Sequence, residues 1–223
     1  MELLALALAD ARFPGGGHAH SGGLEEAASR GLVTGEADLP GFLLGRLRTA
    51  GELAAVFAAA AAHAARRRVA PAFWTLLDTE LDARTPSLAQ REASRAQGAG
   101  TLRALRVGRM VPGGLPDRPH HALVLGAAIG LAGGSPEQAA LTAAYLSVSG
   151  PAGAAVRLLG LDPFLTNAAV LALAGELRGV AGRAAAVAAL DPAELPAPGA
   201  PGLDLFAESH RRAHEKEVRL FAS

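Results

Sequence analysis

The stretch Leu39–Arg67, LPGFLLGRLRTAGELAAVFAAAAAHAARR, decides the fold. Leu39, Leu43, Leu47, Ala50, Ala54 and Phe57 recur every three or four residues, which is the period of one helix face. Strands alternate polar and apolar residues, and this stretch does not. Asp38 ahead of Leu39-Pro40 marks the helix start. Ala54–Ala65, with Phe57 and His63, reads as core helix. Side chains this small also suit close packing between two copies of the chain.

The rest of the composition agrees. Half of the 223 residues are apolar but only 4% are aromatic, so the core must be built mainly from Ala, Leu and Val. Small side chains favour closely packed helices over a sheet. Lys plus Arg equals Asp plus Glu at 21 each. A balanced charge supplies no long-range attraction for nucleic acid or an anionic membrane, and neither partner is expected. With no cysteine, disulfides, thiolate metal sites and cysteine nucleophiles are excluded. MELLALALADARF opens with Glu2 and lacks a basic region ahead of its apolar run, so it reads as a first helix and not a signal peptide.

Helix starts are written along the chain. Ser87-Leu-Ala-Gln90 and Ser135-Pro-Glu-Gln138 are capping boxes. Asp162-Pro163 and Asp191-Pro192 are cap-then-proline signals. Helices are expected at 2–10, 23–31, 39–67, 71–83, 88–107, 118–132, 136–149, 151–159, 163–190 and 204–219. The Gly150-Pro151 pair is expected to break one of them. Val107–Pro116 and Asp191–Gly202 read as loops. The expected organisation is one all-α domain over 1–190, a Pro/Gly linker over 191–203 and a semi-detached helical tail over 204–223. Gln138–Val156 carries no charge and approaches the ~20 residues that span a bilayer. Its Gln138, Thr142, Ser147 and Ser149 suit a buried helix better, and a membrane protein is the weakest reading.

The chemistry-like stretch is Arg12–Ala27, RFPGGGHAHSGGLEEA. It has no Lys-Ser/Thr pair and follows a helix-like segment, whereas phosphate loops follow strands. Ser21 is not in a nucleophile elbow; it reads as a cap for the helix that follows. His18 and His20 are good nickel, zinc or copper ligands, but two ligands do not make a site. The stretch reads as a shaped loop suited to recognition, and no catalytic residue is expected. His120-His121 reads as the cap or packing of a helix start.

Pro14-Gly-Gly-Gly-His-Ala-His-Ser-Gly-Gly-Leu-Glu25 resembles the N-terminal signature of the UreF family of urease accessory proteins, with Pro14, Ser21, Gly23, Leu24 and Glu25 on matching positions. Arg84, Arg91, Ser94, Gly98 and Leu102-Arg103 resemble its arginine-rich helix, and His121-Ala122 with Gly126 its His-Ala-x-x-x-Gly helix start. Ala154–Leu158 resembles its Ala-Ala-Val-Arg-Leu segment, and Arg219–Ser223 its tail. His18 and His20 stand where the family has aromatics, and Gly160-Leu-Asp-Pro163 where it has Pro-Leu-Gly-Gln, which points to a divergent branch.

The resemblance implies a non-enzymatic, cytoplasmic, all-helical scaffold that forms dimers and binds a UreD/UreH-like protein. With that protein it would recruit a UreG-like GTPase and assist nickel delivery to apo-urease. Nickel would be handled by the complex and no cofactor held by the chain itself. Candidate contact residues for a partner or the dimer are Pro14, His18, His20, Ser21, Gly23, Leu24, Glu25, Arg157, His210, Arg211, Arg212, Arg219 and Phe221. Arg157 reads as a helix-end arginine first and as a GTPase contact second. The charged tail has two equal readings, a solvated face and a partner-docking segment. The rival to the scaffold is a nickel carrier that uses histidine directly, with His18 and His20 as weak metal candidates.

Overall fold

The computed structural model describes residues 2–17, 20–108, 110–111 and 113–213. Among them every regular element is helical. The helices are α1 (Glu2–Ala9), α2 (Leu24–Ser29), α3 (Leu39–Arg46), α4 (Glu52–Arg67), α5 (Pro71–Ala83), α6 (Leu88–Val107), α7 (His121–Leu131), α8 (Pro136–Leu159), α9 (Pro163–Ala172), α10 (Ala174–Ala186) and α11 (Pro201–Ala213).

The opening stretch forms the axis of the molecule. Leu39, Leu43, Leu47 and Phe57 are all buried, as their spacing requires. The helix expected over 39–67 is interrupted by one π-helical turn, Leu47–Gly51, between α3 and α4. Gly51 permits it: a Cβ there would lie 2.5 Å from Ser147 Oγ of α8. Beyond this turn α4 packs against α7, α8 and α10, and its alanines from Ala58 to Ala62 are buried. On α7, a Cβ on Gly126 would collide with Ala58 O, and one on Gly130 with Ala62 O. Two bare glycines, one helical turn apart, thus press α7 onto the α4 backbone, so a core poor in aromatics still reaches close packing.

Three expected boundaries are corrected. α8 runs unbroken through Pro151, where a break after residue 149 was expected. The helix expected over 163–190 is two helices bent by 45° around Leu173. The bend lets α9 pack on α3 and α8 while α10 lays Leu177, Val180, Ala181 and Ala184 towards α4 and α8; a straight helix could not follow both surfaces. α11 starts at Pro201, inside the stretch expected as linker.

α8 is long and apolar enough to cross a membrane, as is the bent pair α9–α10 taken together. The apolar window of α8 is 56% buried, and α4, α7 and α10 cover it. This is how a core helix is placed.

Gly126→Ala is expected to lower the unfolding free energy by about 1–3 kcal/mol or more through overpacking. Gly182→Ala, in the exposed interior of α10 with open space around it, is expected to raise it by about 0.5–1 kcal/mol. Urea titration followed by circular dichroism compares the two.

Candidate functional site

A cleft of about 200 Å³ opens where the glycine loop, the π turn, the start of α7, α8 and α11 converge; Arg46, His20, His121, Ser147 and Asp204 are among its lining residues. Arg46 ends α3. Its Nε donates to Ser147 O at 2.8 Å and its Nη1 to Gly22 O at 2.7 Å. The first bond explains the unbroken α8. Within a helix, the carbonyl of residue 147 would accept from the N–H of residue 151, but proline has none. Arg46 supplies the missing donor from another helix. The second bond ties the loop to the same side chain.

The start of α7 is held by a partly buried polar network. Asp78 Oδ1 accepts from the His120 backbone N–H at 3.0 Å. His120 Nε2 lies 2.8 Å from Asp82 Oδ1, and its Nδ1 lies 2.9 Å from Ser94 Oγ. Arg95 bridges Asp78 and Asp82 at 2.8 and 2.7 Å. Ser94 Oγ also accepts from the His121 N–H at 3.3 Å. A Cβ on Gly98 would collide with Pro119 O. The Ser94-x-x-x-Gly98 pattern is therefore a seat for the segment that starts α7: the serine bonds it and the glycine lets its backbone in.

The described part of α11 lies against α6 and α2. Glu208 sits at the α6 N-terminus, where its Oε1 accepts from Ala89 N–H at 2.9 Å and Ser87 O–H at 2.8 Å. The Ala89 N–H, with Ser87 and Arg211, holds this carboxylate at about 2 against the opposing effect of desolvation. The Ser87 capping box is half made. Ser87 Oγ accepts from Gln90 N–H at 3.1 Å, but the Gln90 amide donates to Asp204 Oδ1 at 3.1 Å and does not turn back. On the α2 side, Arg30 lies over the Phe206 ring at 5.4 Å. His210 is buried, with its Nε2 3.6 Å from Glu25 Oε2.

The sequence candidates thus fall into three groups. His20, Ser21, Gly23, Leu24, Glu25, His210 and Arg211 are drawn to the α2–α11 side of the cleft. Ser21 Oγ accepts from Glu25 N–H at 3.4 Å, and Gly23 takes φ 89 at the α2 N-cap. Pro14, Arg157 and Arg212 are exposed, Arg157 in the last turn of α8. His18, Arg219 and Phe221 lie outside the described residues. Among the described residues no group of three or more His, Asp or Glu side chains is placed to hold a metal ion. Sequence reasoning missed Arg46, Asp78, Asp82, Arg95, Asp204 and Glu208. Only Pro151 carried a signal, since an intrahelical proline orphans a carbonyl that needs a donor.

Fold and site define an all-helical protein whose buried polar groups tie its N-terminal loop and C-terminal helix to one core. The UreF family model matches residues 33–174. The urease accessory protein UreF of Mycobacterium sp. (strain JLS) is 46% identical over 222 residues, covering 98% of this chain and 97% of its own. That of Mycolicibacterium vanbaalenii is 44% identical, with the same coverage. That of Mycobacterium marinum is 43% identical, covering 99% and 98%. The chain belongs to the UreF family.

Two predictions follow the geometry. Arg46→Met is expected to cost about 1–3 kcal/mol by leaving the Ser147 carbonyl without a donor. In a Pro151→Ala background, where residue 151 regains its N–H, the cost shrinks. A double-mutant cycle by urea titration should show a coupling of at least ~0.5 kcal/mol. Second, burial, joined by the His20 charge, holds His121 down to about 3, and burial also lowers His120. The unfolded chain binds these protons more readily, so their contribution is complete above pH ~6.5 and lost as pH falls. The urea midpoint should drop between pH 6.5 and 5, and drop less in His121→Gln.

Proposed function

We propose that the chain is a non-catalytic urease accessory scaffold acting in the cytoplasm. As a homodimer, it works with a UreD/UreH-like protein, recruits a UreG-like GTPase, modulates that GTPase and assists nickel delivery to apo-urease. One observation carries this reading: identity of 46% along nearly the whole of both chains with a protein named urease accessory protein UreF.

The architecture supports it. Buried bonds hold the glycine loop and α11 on a stiff helical core, and a surface fixed in this way loses little entropy on docking. On α9, Phe164, Leu165 and Leu171 are 84%, 55% and 64% exposed. Large exposed apolar side chains on one helix suit a protein contact, which supports the homodimer part of the reading. Arg157, exposed in the last turn of α8, is assigned to the GTPase contact. Because α11 is docked on its own chain, partner docking by the tail falls to Arg212 and to residues 214–223.

Co-expression of the tagged chain with a UreD-like protein and the GTPase tests the reading. The full chain is expected to co-purify with both, and a chain truncated after Ala213, which keeps α11, is expected to recover less GTPase. Unchanged recovery removes the tail from the reading, and a full chain that captures no UreD-like protein overturns it.

A further inference from the structure

We infer that α11 is a strap that opens on its own while the rest of the fold stays closed, and that Gln90 supplies the bond that lets it open. Of the thirteen residues of α11, Ala207 and His210 are the buried ones, whereas most of α4 is buried. The underside of α11 is partly free, because Leu203, Asp204 and Ala207 line the cleft. The linker 196–200 has no regular structure, so α11 can lift without unwinding a neighbouring helix. Bonds to α6 hold it down. Asp204 Oδ1 accepts from the Ser87 backbone N–H at 3.4 Å and from the Gln90 amide at 3.1 Å. Glu208 Oε1 accepts from the Ala89 N–H and the Ser87 hydroxyl.

These carboxylates cap α6 from outside, yet α6 carries a substitute of its own. Ser87-Leu-Ala-Gln90 has the same Ser-x-x-Gln pattern as Ser135-Pro-Glu-Gln138. There the box is complete, with Gln138 Oε1 accepting from the Ser135 N–H at 2.9 Å. At Ser87 that place is taken by Asp204, which also draws the Gln90 amide away. When α11 lifts, Gln90 is freed from Asp204, and its Oε1 takes the Ser87 N–H and closes the box. The Ser87 N–H therefore has a partner in both positions of α11, and only the Ala89 N–H passes to water. A helix end satisfied in two ways gives a two-state element, with the docked state held by Glu208. Leu203 sits over Gly23, where a Cβ would lie 3.2 Å from its Cδ2, so opening uncovers the start of α2.

Native-state hydrogen exchange of the full chain, read residue by residue, tests this without any variant. Relative to their intrinsic rates, α11 amides are expected to exchange roughly tenfold or more faster than α4 amides, with little dependence on low urea, as a local opening does. Glu208→Ala removes two bonds to a charged acceptor, and is expected to speed α11 by roughly tenfold or more while α4 is unchanged. In Asp204→Ala/Glu208→Ala, with α4 protection confirming a folded core, the Ala89 N–H loses protection and the Ser87 N–H keeps it. Adding Gln90→Ala then deprotects Ser87 as well. Exchange of α11 only together with α4, an α11 rate unchanged by Glu208→Ala, or joint loss of Ser87 and Ala89 protection while Gln90 is intact would each overturn the assignment.

Discussion

The contact between α4 and α7 is the constraint on which the rest of the molecule depends. With few aromatic side chains to fill space, the core reaches density by bringing backbones together. Gly126 and Gly130 are bare where α7 crosses the carbonyls of Ala58 and Ala62, and the alanine run of α4 leaves no side chain longer than a methyl group on that side. Close approach gains many weak dispersion contacts at little rotamer cost, since Ala and Gly have no side-chain torsions to freeze. It also makes the interface intolerant: a single added methyl group has no flexible neighbour to push aside. α8 and α10 then close over the remaining faces of α4.

A second constraint links this core to the cleft. A proline inside a helix ordinarily kinks or ends it, because it removes a donor and crowds the preceding turn. Here the orphaned carbonyl of Ser147 meets Arg46, 101 positions away. The π turn follows Arg46 directly, and Gly51 in that turn leaves room for Ser147. The proline, the arginine and the widened turn therefore form one device. Because Arg46 also holds Gly22, the position of the glycine loop depends on how α3 and α8 meet.

What was legible in the sequence was local. The Ser135 box forms with both of its bonds, and Asp162 and Asp191 accept from Phe164 and Ala193 as cap residues do. These signals need only neighbours within a few residues. Most of the failures involve distant partners. Gln90 leaves its expected bond because Asp204 of α11 offers another. Asp38 starts a helix, yet its side chain accepts from Thr34 instead of capping. The bend at Leu173 has no proline to announce it and only Gly175 close by; the surfaces of α3, α4 and α8 set its direction. At the site, the loop and tail candidates were each visible, but their convergence was not, because no sequence pattern states that Glu25 and His210 meet.

The departures from the family pattern have physical readings of their own. Gly160-Leu-Asp-Pro163 stands where the family has a proline-led segment, and here it stops one helix and starts the next. Gly160 takes φ 66 and ends α8, and Asp162 accepts from Phe164 N–H at 2.7 Å to begin α9. Leu161 is buried between them. A left-handed glycine and an aspartate cap thus make the corner between α8 and α9. His20 differs in kind. An aromatic ring at that position would give the cleft an apolar wall, whereas an imidazole beside His121 keeps it polar and lowers the affinity of His121 for a proton. The loop thus places an imidazole at a cleft that Arg46, Arg84 and Asp204 also line.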